Sequence, residues 1–208
     1  MTEAARPGRT VRIGITGPIG CGKSQVAHWL GELGAHVVDA DEEARVVTSQ
    51  AGAVRDAIVR RWPDAATGDG TVDRAALGRV VFADHAQLRD LEALVHPAVR
   101  PRILARIAAA EAVEAPAIGI EAIKLVEGGL AAECDEVWLV TCDPVVQRER
   151  LVGRGTPPAD ADQRVEAQAG LTGRLSRAAT LIIDTTGDVT TTRTLVEDAF
   201  REAIQAHR

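Results

Sequence analysis

Eight consecutive residues, Gly17-Pro18-Ile19-Gly20-Cys21-Gly22-Lys23-Ser24, satisfy the pattern G-x-x-x-x-G-K-S/T. Each residue type there has a chemical reason. Glycines let successive backbone N–H groups turn inward on an anion, and the start of a following helix adds its positive end. Lys23 would offset charge on the β- and γ-phosphates of a nucleotide, and the Ser24 hydroxyl would ligate Mg²⁺. Gly17 through Gln25 are therefore the candidate nucleotide-binding residues. Cys21 stands where a helix start can lower a thiol's pKa, but no His or second Cys lies near it in sequence, so it reads as a small loop residue. Next come Val37-Val38-Asp39-Ala40-Asp41. If that segment is extended, Asp39 and Asp41 share one face, and one of them could take a proton from an attacking hydroxyl or hold it in line. The alternative is that either Asp caps a helix starting near Glu42.

These residues need elements to position them. Val11 to Thr16 is a branched-apolar strand running into the glycine loop, and a helical pattern follows from Lys23 to Leu33, closed by Gly34. His36 to Val38 form a second strand ending at Asp39. From Glu42 to Ala115 the text is helical, with Asp73 placed to cap Arg74 to Phe82, and with Pro97 and Pro101 near the start of a stretch reaching Val113. Strand character returns at Ala117 to Ile120, Glu136 to Thr141 and Thr180 to Ile183. Asp143-Pro144 and Pro158 start helices, and a last helix covers about Val189 to Ala206. Alternation of this kind predicts an α/β protein with a five-stranded parallel sheet flanked by helices, whose ligands sit at the carboxyl ends of the strands. The expected organisation is a tail at 1–10, a nucleotide-binding core at 11–41, 116–150 and 179–208, a helical acceptor-binding region at 42–115 and a small lid at 151–178.

Composition narrows the function classes. The chain has 208 residues, 46% hydrophobic and 26% charged, which is the balance of an ordinary globular protein. A formal net charge of -6 gives no electrostatic footprint for duplex nucleic acid, and 2% aromatics with no Tyr are too few for a base-stacking platform. No apolar run approaches a membrane span, and Met1 to Thr10 lacks the apolar stretch of an export signal. Three cysteines at irregular spacing suit a reducing compartment. The expectation is a cytoplasmic protein without nucleic-acid or membrane partners, a monomer or small homo-oligomer. A switch GTPase is set aside: there is no Asn-Lys-x-Asp segment, and Asp184-Thr185-Thr186-Gly187 follows the last strand, where a switch segment does not belong.

Four stretches together resemble the dephospho-CoA kinase family. They are Ile13 through Ser24; Val37 to Asp41 with Ala44-Arg45; Leu91-Glu92-Ala93-Leu94-Val95-His96-Pro97; and Arg150, Arg154, Arg164 and Gln168 at the spacing of the family's lid. The resemblance runs from Val11 over nearly the whole chain and implies a P-loop kinase fold. It implies ATP as donor, Mg²⁺ as cofactor, and the ribose 3′-hydroxyl of dephospho-CoA as acceptor. It makes Asp41 the general base or hydroxyl-positioning group, Lys23 a phosphate ligand and Arg150 a stabiliser of transition-state charge. Arg154 and Arg164 become lid arginines, for which a solvated helix face paired with Asp160, Asp162 or Glu166 is the alternative. Asp39, His96, Glu121 and Glu127 fall in the implied acceptor region, although His96 also suits a helix start and Glu127 an exposed loop. The sequence departs from the family after the third strand, where Glu121-Ala122-Ile123-Lys124-Leu125-Val126-Glu127 replaces Asp-x-Pro-Leu-Leu-x-Glu. Further departures are Thr185 in place of a common Asn and Pro18 in place of a Gly. These leave room for a related kinase with another nucleotide or small-alcohol acceptor, or a non-catalytic ATP-binding regulatory protein.

Overall fold

The computed structural model describes residues 9–207. Two compact units divide the chain: one runs through Asp39 and resumes at Ile107, and the other is Ala40–Arg106.

The first unit holds a parallel sheet of five strands: β1 (Val11–Thr16), β2 (His36–Asp39), β3 (Ala117–Glu121), β4 (Glu136–Thr141) and β5 (Leu181–Asp184). Their order across the sheet is β2-β3-β1-β4-β5. Every residue of β3 is buried, and β1 is buried except at Arg12. Central parallel strands covered on both faces read as such apolar runs rather than as alternation. Helix α1 (Lys23–Glu32) and the last helix, α9 (Val189–His207), supply part of that cover. Val26, Ala27, Trp29 and Leu30 of α1 and Val196, Phe200, Ala203 and Ile204 of α9 join Ile13, Ile15, Trp138 and Ile183 in one core. Burying each large side chain contributes about 1.5–3 kcal/mol, so the sheet fixes the strand ends from which the loops spring.

Those ends are in register. Asp39 lies opposite Glu121 across β2 and β3, Ile15 opposite Glu121 across β1 and β3, and Thr141 opposite Asp184 across β4 and β5. After β4, Asp143 caps α6 (Pro144–Gly153), its side chain accepting from the Val145 N–H at 2.7 Å. Helices α7 (Pro158–Ala167) and α8 (Leu171–Leu175) follow before β5. Residues 1–8 of the expected tail lie outside the described residues. Arg9 and Thr10 are not tail: Thr10 is buried and Arg9 pairs with Asp135 at 2.9 Å.

The second unit is helical, as the text from Glu42 onward implies. It contains α2 (Ala40–Ser49), α3 (Ala53–Arg61), α4 (Arg74–Ala83) and most of α5 (His85–Ala112). Asp73 caps α4, its Oδ1 accepting from the N–H groups of Ala75 and Ala76 at 2.9 and 3.0 Å. Two expectations fail here. Helix α2 starts at Ala40 rather than near Glu42, and α5 starts at His85 with Pro97 and Pro101 in its interior rather than near its start. Each proline forfeits one backbone hydrogen bond, but Val95, Val99 and Ile103, four residues apart, are all buried. Burial of that continuous stripe outweighs the local preference. Among the described residues, no helix is long and apolar enough to cross a membrane.

Candidate active site

The loop between β1 and α1 has the backbone of a phosphate cradle. Gly17, Gly20 and Gly22 have φ of 140°, 80° and 92°, where L-residues are strained. A Cβ on Gly17 would also overlap the Val140 carbonyl oxygen. Lys23 is buried, and its Nζ donates to the carbonyls of Gly17 and Pro18, both at 3.0 Å. The loop is held from outside as well. The Ile19 N–H donates to Gln168 Oε1 at 2.8 Å, and Gln147 Nε2 donates to the Ile19 carbonyl at 2.8 Å. Gln168 directly follows α7 and Gln147 lies on α6, so both helices reach the loop through an amide.

Beside the loop stand carboxylates at strand ends. Ser24 Oγ donates to Glu121 Oε1 at 2.9 Å, and Glu121 is buried. Asp39, its neighbour across the sheet, faces the same side because paired residues of parallel strands do. Hydroxyl and carboxylate oxygens are the hard donors that suit Mg²⁺, which keeps waters and takes few protein ligands beside substrate phosphates. In keeping with that, no group of three or more His, Cys, Asp or Glu side chains is gathered as a metal cage among the described residues. Ser24 and Glu121 thus fit a Mg²⁺–nucleotide.

Asp41 does not share an extended face with Asp39. It sits in the first turn of α2, because the chain turns helical immediately after Asp39. Its side chain is partly exposed, and it belongs to the second unit while Asp39 belongs to the first.

On the other flank of the loop, Arg150 is fixed by Thr185. Its NH1 donates to Thr185 Oγ1 at 2.8 Å and its NH2 to the Thr185 carbonyl at 2.7 Å. Thr185 Oγ1 is in turn 2.8 Å from the Cys21 carbonyl and 3.2 Å from the Thr141 carbonyl. One side chain therefore connects the arginine, the phosphate loop and the end of β4. Gly22, Gln25, Trp29, Arg150, Arg154 and Thr185 line a cavity of about 220 Å³. Bordered by Gly22 of the loop and by two arginines, it could take the nucleoside end of a ligand whose phosphates lie in the loop.

Similarity to known proteins agrees with this geometry. The dephospho-CoA kinase family model matches residues 11–191. The chain belongs to the dephospho-CoA kinase family. A dephospho-CoA kinase of Symbiobacterium thermophilum is 42% identical over 193 residues, covering 92% of this chain and 80% of that one. The crystal structure of TT1252 from Thermus thermophilus superposes with a TM-score of 0.79 at 31% identity, covering 93% of this chain and 98% of that one. A dephospho-CoA kinase from Campylobacter jejuni shares the fold, with a TM-score of 0.69 at 21% identity, covering 95% and 98%. This is a kinase fold with the parallel sheet that the sequence implies, and nothing in the similarities favours a non-catalytic relative.

Within that family frame, the residues singled out in the sequence fall into groups. Gly17 to Ser24, Glu121, Arg150 and Arg154 belong to the first unit and surround the loop, while Asp41 and His96 belong to the second. His96 is exposed in the interior of α5 and is not a helix start. Glu127 is exposed in the turn after β3, and Arg164 is exposed on α7. Asp162, a candidate partner for the lid arginines, instead pairs with Arg148. Cys21 is not a lone loop residue: it is disulfide-bonded to Cys142. The irregular cysteine spacing, read as unsuited to disulfides, concealed the Cys21–Cys142 bond; sequence reasoning also missed Gln147 and saw Thr185 only as a departure. The signal that could have found them is that Cys142 and Thr185 each directly follow a strand of the sheet that carries the loop.

Proposed function

We propose that this chain transfers the γ-phosphoryl group of Mg²⁺–ATP to the ribose 3′-hydroxyl of dephospho-CoA, giving CoA and ADP. The observation that carries the reading is the pre-shaped phosphate loop with Lys23 buried inside it, in a chain of the dephospho-CoA kinase family. The loop N–H groups and Lys23 would hold the β- and γ-phosphates, leaving the terminal phosphorus facing the acceptor. Mg²⁺ supplies charge neutralisation across those phosphates when bound, and Ser24 would hold it with Glu121 on its water shell. Arg150, oriented by Thr185, would stabilise the charge that builds on the transferring oxygens, as preorganised donors and charges do in many enzymes. Asp41 would accept the hydroxyl proton or hold the hydroxyl in line. Asp39, His96, Glu127 and Arg164 are assigned to the acceptor, and Gln25 and Arg154 to the nucleotide. The protein acts in the cytoplasm, on a small molecule.

The test is a coupled ADP-release assay with Mg²⁺–ATP, comparing dephospho-CoA with no acceptor and with nucleoside monophosphates. Turnover should require dephospho-CoA. Asp41→Asn should lower kcat by about 10² to 10⁴, the usual worth of a positioned base, with ATP affinity retained. Equal turnover by the Asn variant would remove Asp41 from the mechanism, and turnover with another acceptor alone would overturn the substrate assignment.

A further inference from the structure

The sheet order places the ends of β1, β4 and β5 side by side. Each end leads into a chemically distinctive residue or loop: the phosphate loop with Cys21 after β1, Cys142 after β4, and Thr185 after β5. Cys21 is fully buried in the loop, immediately before Gly22 and α1, and its sulfur is bonded to Cys142 across 121 residues of sequence, with Cα atoms 5.2 Å apart. Cys142 is only partly buried. The main chain of Cys21 is engaged as well, since its carbonyl accepts from the Thr185 hydroxyl that holds Arg150.

We propose that Cys21 and Cys142 form a thiol–disulfide exchange site, serving low-molecular-weight thiols and disulfides, that sets the affinity of the phosphate loop for nucleotide. The bonded form already has the loop's three left-handed glycines in place. The cross-link therefore holds the anion cradle ready, and pre-organisation raises affinity by sparing the cost of ordering at binding. Its loss frees Cys21, and with it the carbonyl that anchors Thr185 and Arg150.

The exchange has a direction set by exposure. To open the bond, a small thiolate attacks the sulfur of Cys142, the less buried of the two residues, forming a mixed disulfide and expelling the Cys21 thiolate, which the amino end of α1 stabilises as a leaving group. A second small thiolate then attacks the outer sulfur and releases Cys142; the reductant leaves as its disulfide, and each protein thiolate takes one proton. Closure runs in reverse. Cys142 attacks a small disulfide and expels one thiol; Cys21 attacks the Cys142 sulfur and expels the second. The third cysteine stays outside the exchange. Burial pushes the Cys134 thiol up to about 12, away from the reactive thiolate range.

The experiment equilibrates the full-length protein in buffers of graded oxidised-to-reduced glutathione, counts free thiols, and identifies the Cys21–Cys142 peptide by mass spectrometry. ATP affinity is measured by equilibrium binding in the same buffers. We expect one free thiol in the oxidised form and three in the reduced form. ATP binding should be at least about threefold tighter when oxidised, and thermal midpoint at least about 5 °C higher, given the long loop that the bond closes. Cys142→Ser should bind ATP like the reduced form at every ratio. Three free thiols throughout, glutathione retained on Cys142 without a cross-link, or equal ATP affinity in both states would overturn the proposal. Its nucleotide arm rests on the ATP reading above, and the two are separable: a cross-link that titrates in a protein that binds no ATP in either state counts against that reading.

Discussion

The Thr185 hydroxyl has one proton and two carbonyls within reach, those of Cys21 and Thr141, while it accepts from Arg150. These hydrogen bonds orient the Arg150 guanidinium. Thr185→Val keeps the shape and removes the hydroxyl, leaving Arg150 with the Thr185 carbonyl alone and the Cys21 carbonyl without its side-chain donor. On the proposed mechanism, Arg150→Ala removes the cation itself and should lower kcat by about 10² to 10³, the cost of deleting one transition-state donor. Thr185→Val should cost about tenfold in kcat, with KM for dephospho-CoA unchanged. Because the threonine acts through the arginine, the double variant should be no slower than Arg150→Ala alone, which steady-state rates of the four proteins will show. A double variant slower by the product of the two losses would separate Thr185 from Arg150.

At the scale of elements, α2 is bound to α5 by charge. Glu43, buried in the first turn of α2, takes Arg102 at 2.6 Å and Arg106 at 3.1 Å, two residues four apart on one face of α5. The hydrogen bond from Arg102 foremost, then that from Arg106 and both positive charges, hold the Glu43 carboxyl below its ordinary pKa of 4.5, against the opposing effect of burial. A lowered folded-state pKa gives stability that is present above about pH 4.5 and is lost as pH falls through the folded value. Glu43→Gln should therefore destabilise the protein at pH 7 by about 1–2 kcal/mol, discounted because both arginines are well exposed. The gap should narrow as pH is lowered below about 4.5, as measured by urea unfolding at pH 7 and over a descending acid series. This contact also marks what the sequence could and could not reveal. The bounds of β1 and β4, the Asp73 and Asp143 caps and the phosphate loop are written locally, in apolar runs, cap residues and glycine spacing. The helical state of Asp41 and the unbroken course of α5 through Pro97 and Pro101 are decided by packing, which overrides the local preference of a proline or a strand end. The Ile19 contacts to Gln147 and Gln168 and the Cys21–Cys142 bond span 128, 149 and 121 residues. They exist because the strand order brings distant loops together, and no local spacing announces them.

The whole molecule divides its chemistry between two units. The loop, Arg150, Arg154 and the cavity beside them belong to the unit built on the sheet, and Asp41 and His96 belong to Ala40–Arg106. On the proposed reaction each substrate then has its own signature. A ligand that binds only the folded state stabilises it by about 2.7 kcal/mol at a hundred times its Kd. For a chain of this size that is a rise in thermal midpoint of roughly 5–10 °C. Mg²⁺–ATP should give such a rise in the wild type and none in Lys23→Met, which loses the ammonium that the loop encloses. Hydrogen exchange should localise the two effects: ATP should slow exchange at 17–24, and dephospho-CoA should slow it within 40–106. Protection of 40–106 by ATP alone, with none at the loop, would place the nucleotide in the wrong unit and reverse the donor and acceptor assignments together. Protection of the loop in Lys23→Met as strong as in the wild type would instead leave the backbone N–H groups as the whole of the phosphate site, with the lysine acting in transfer and not in binding.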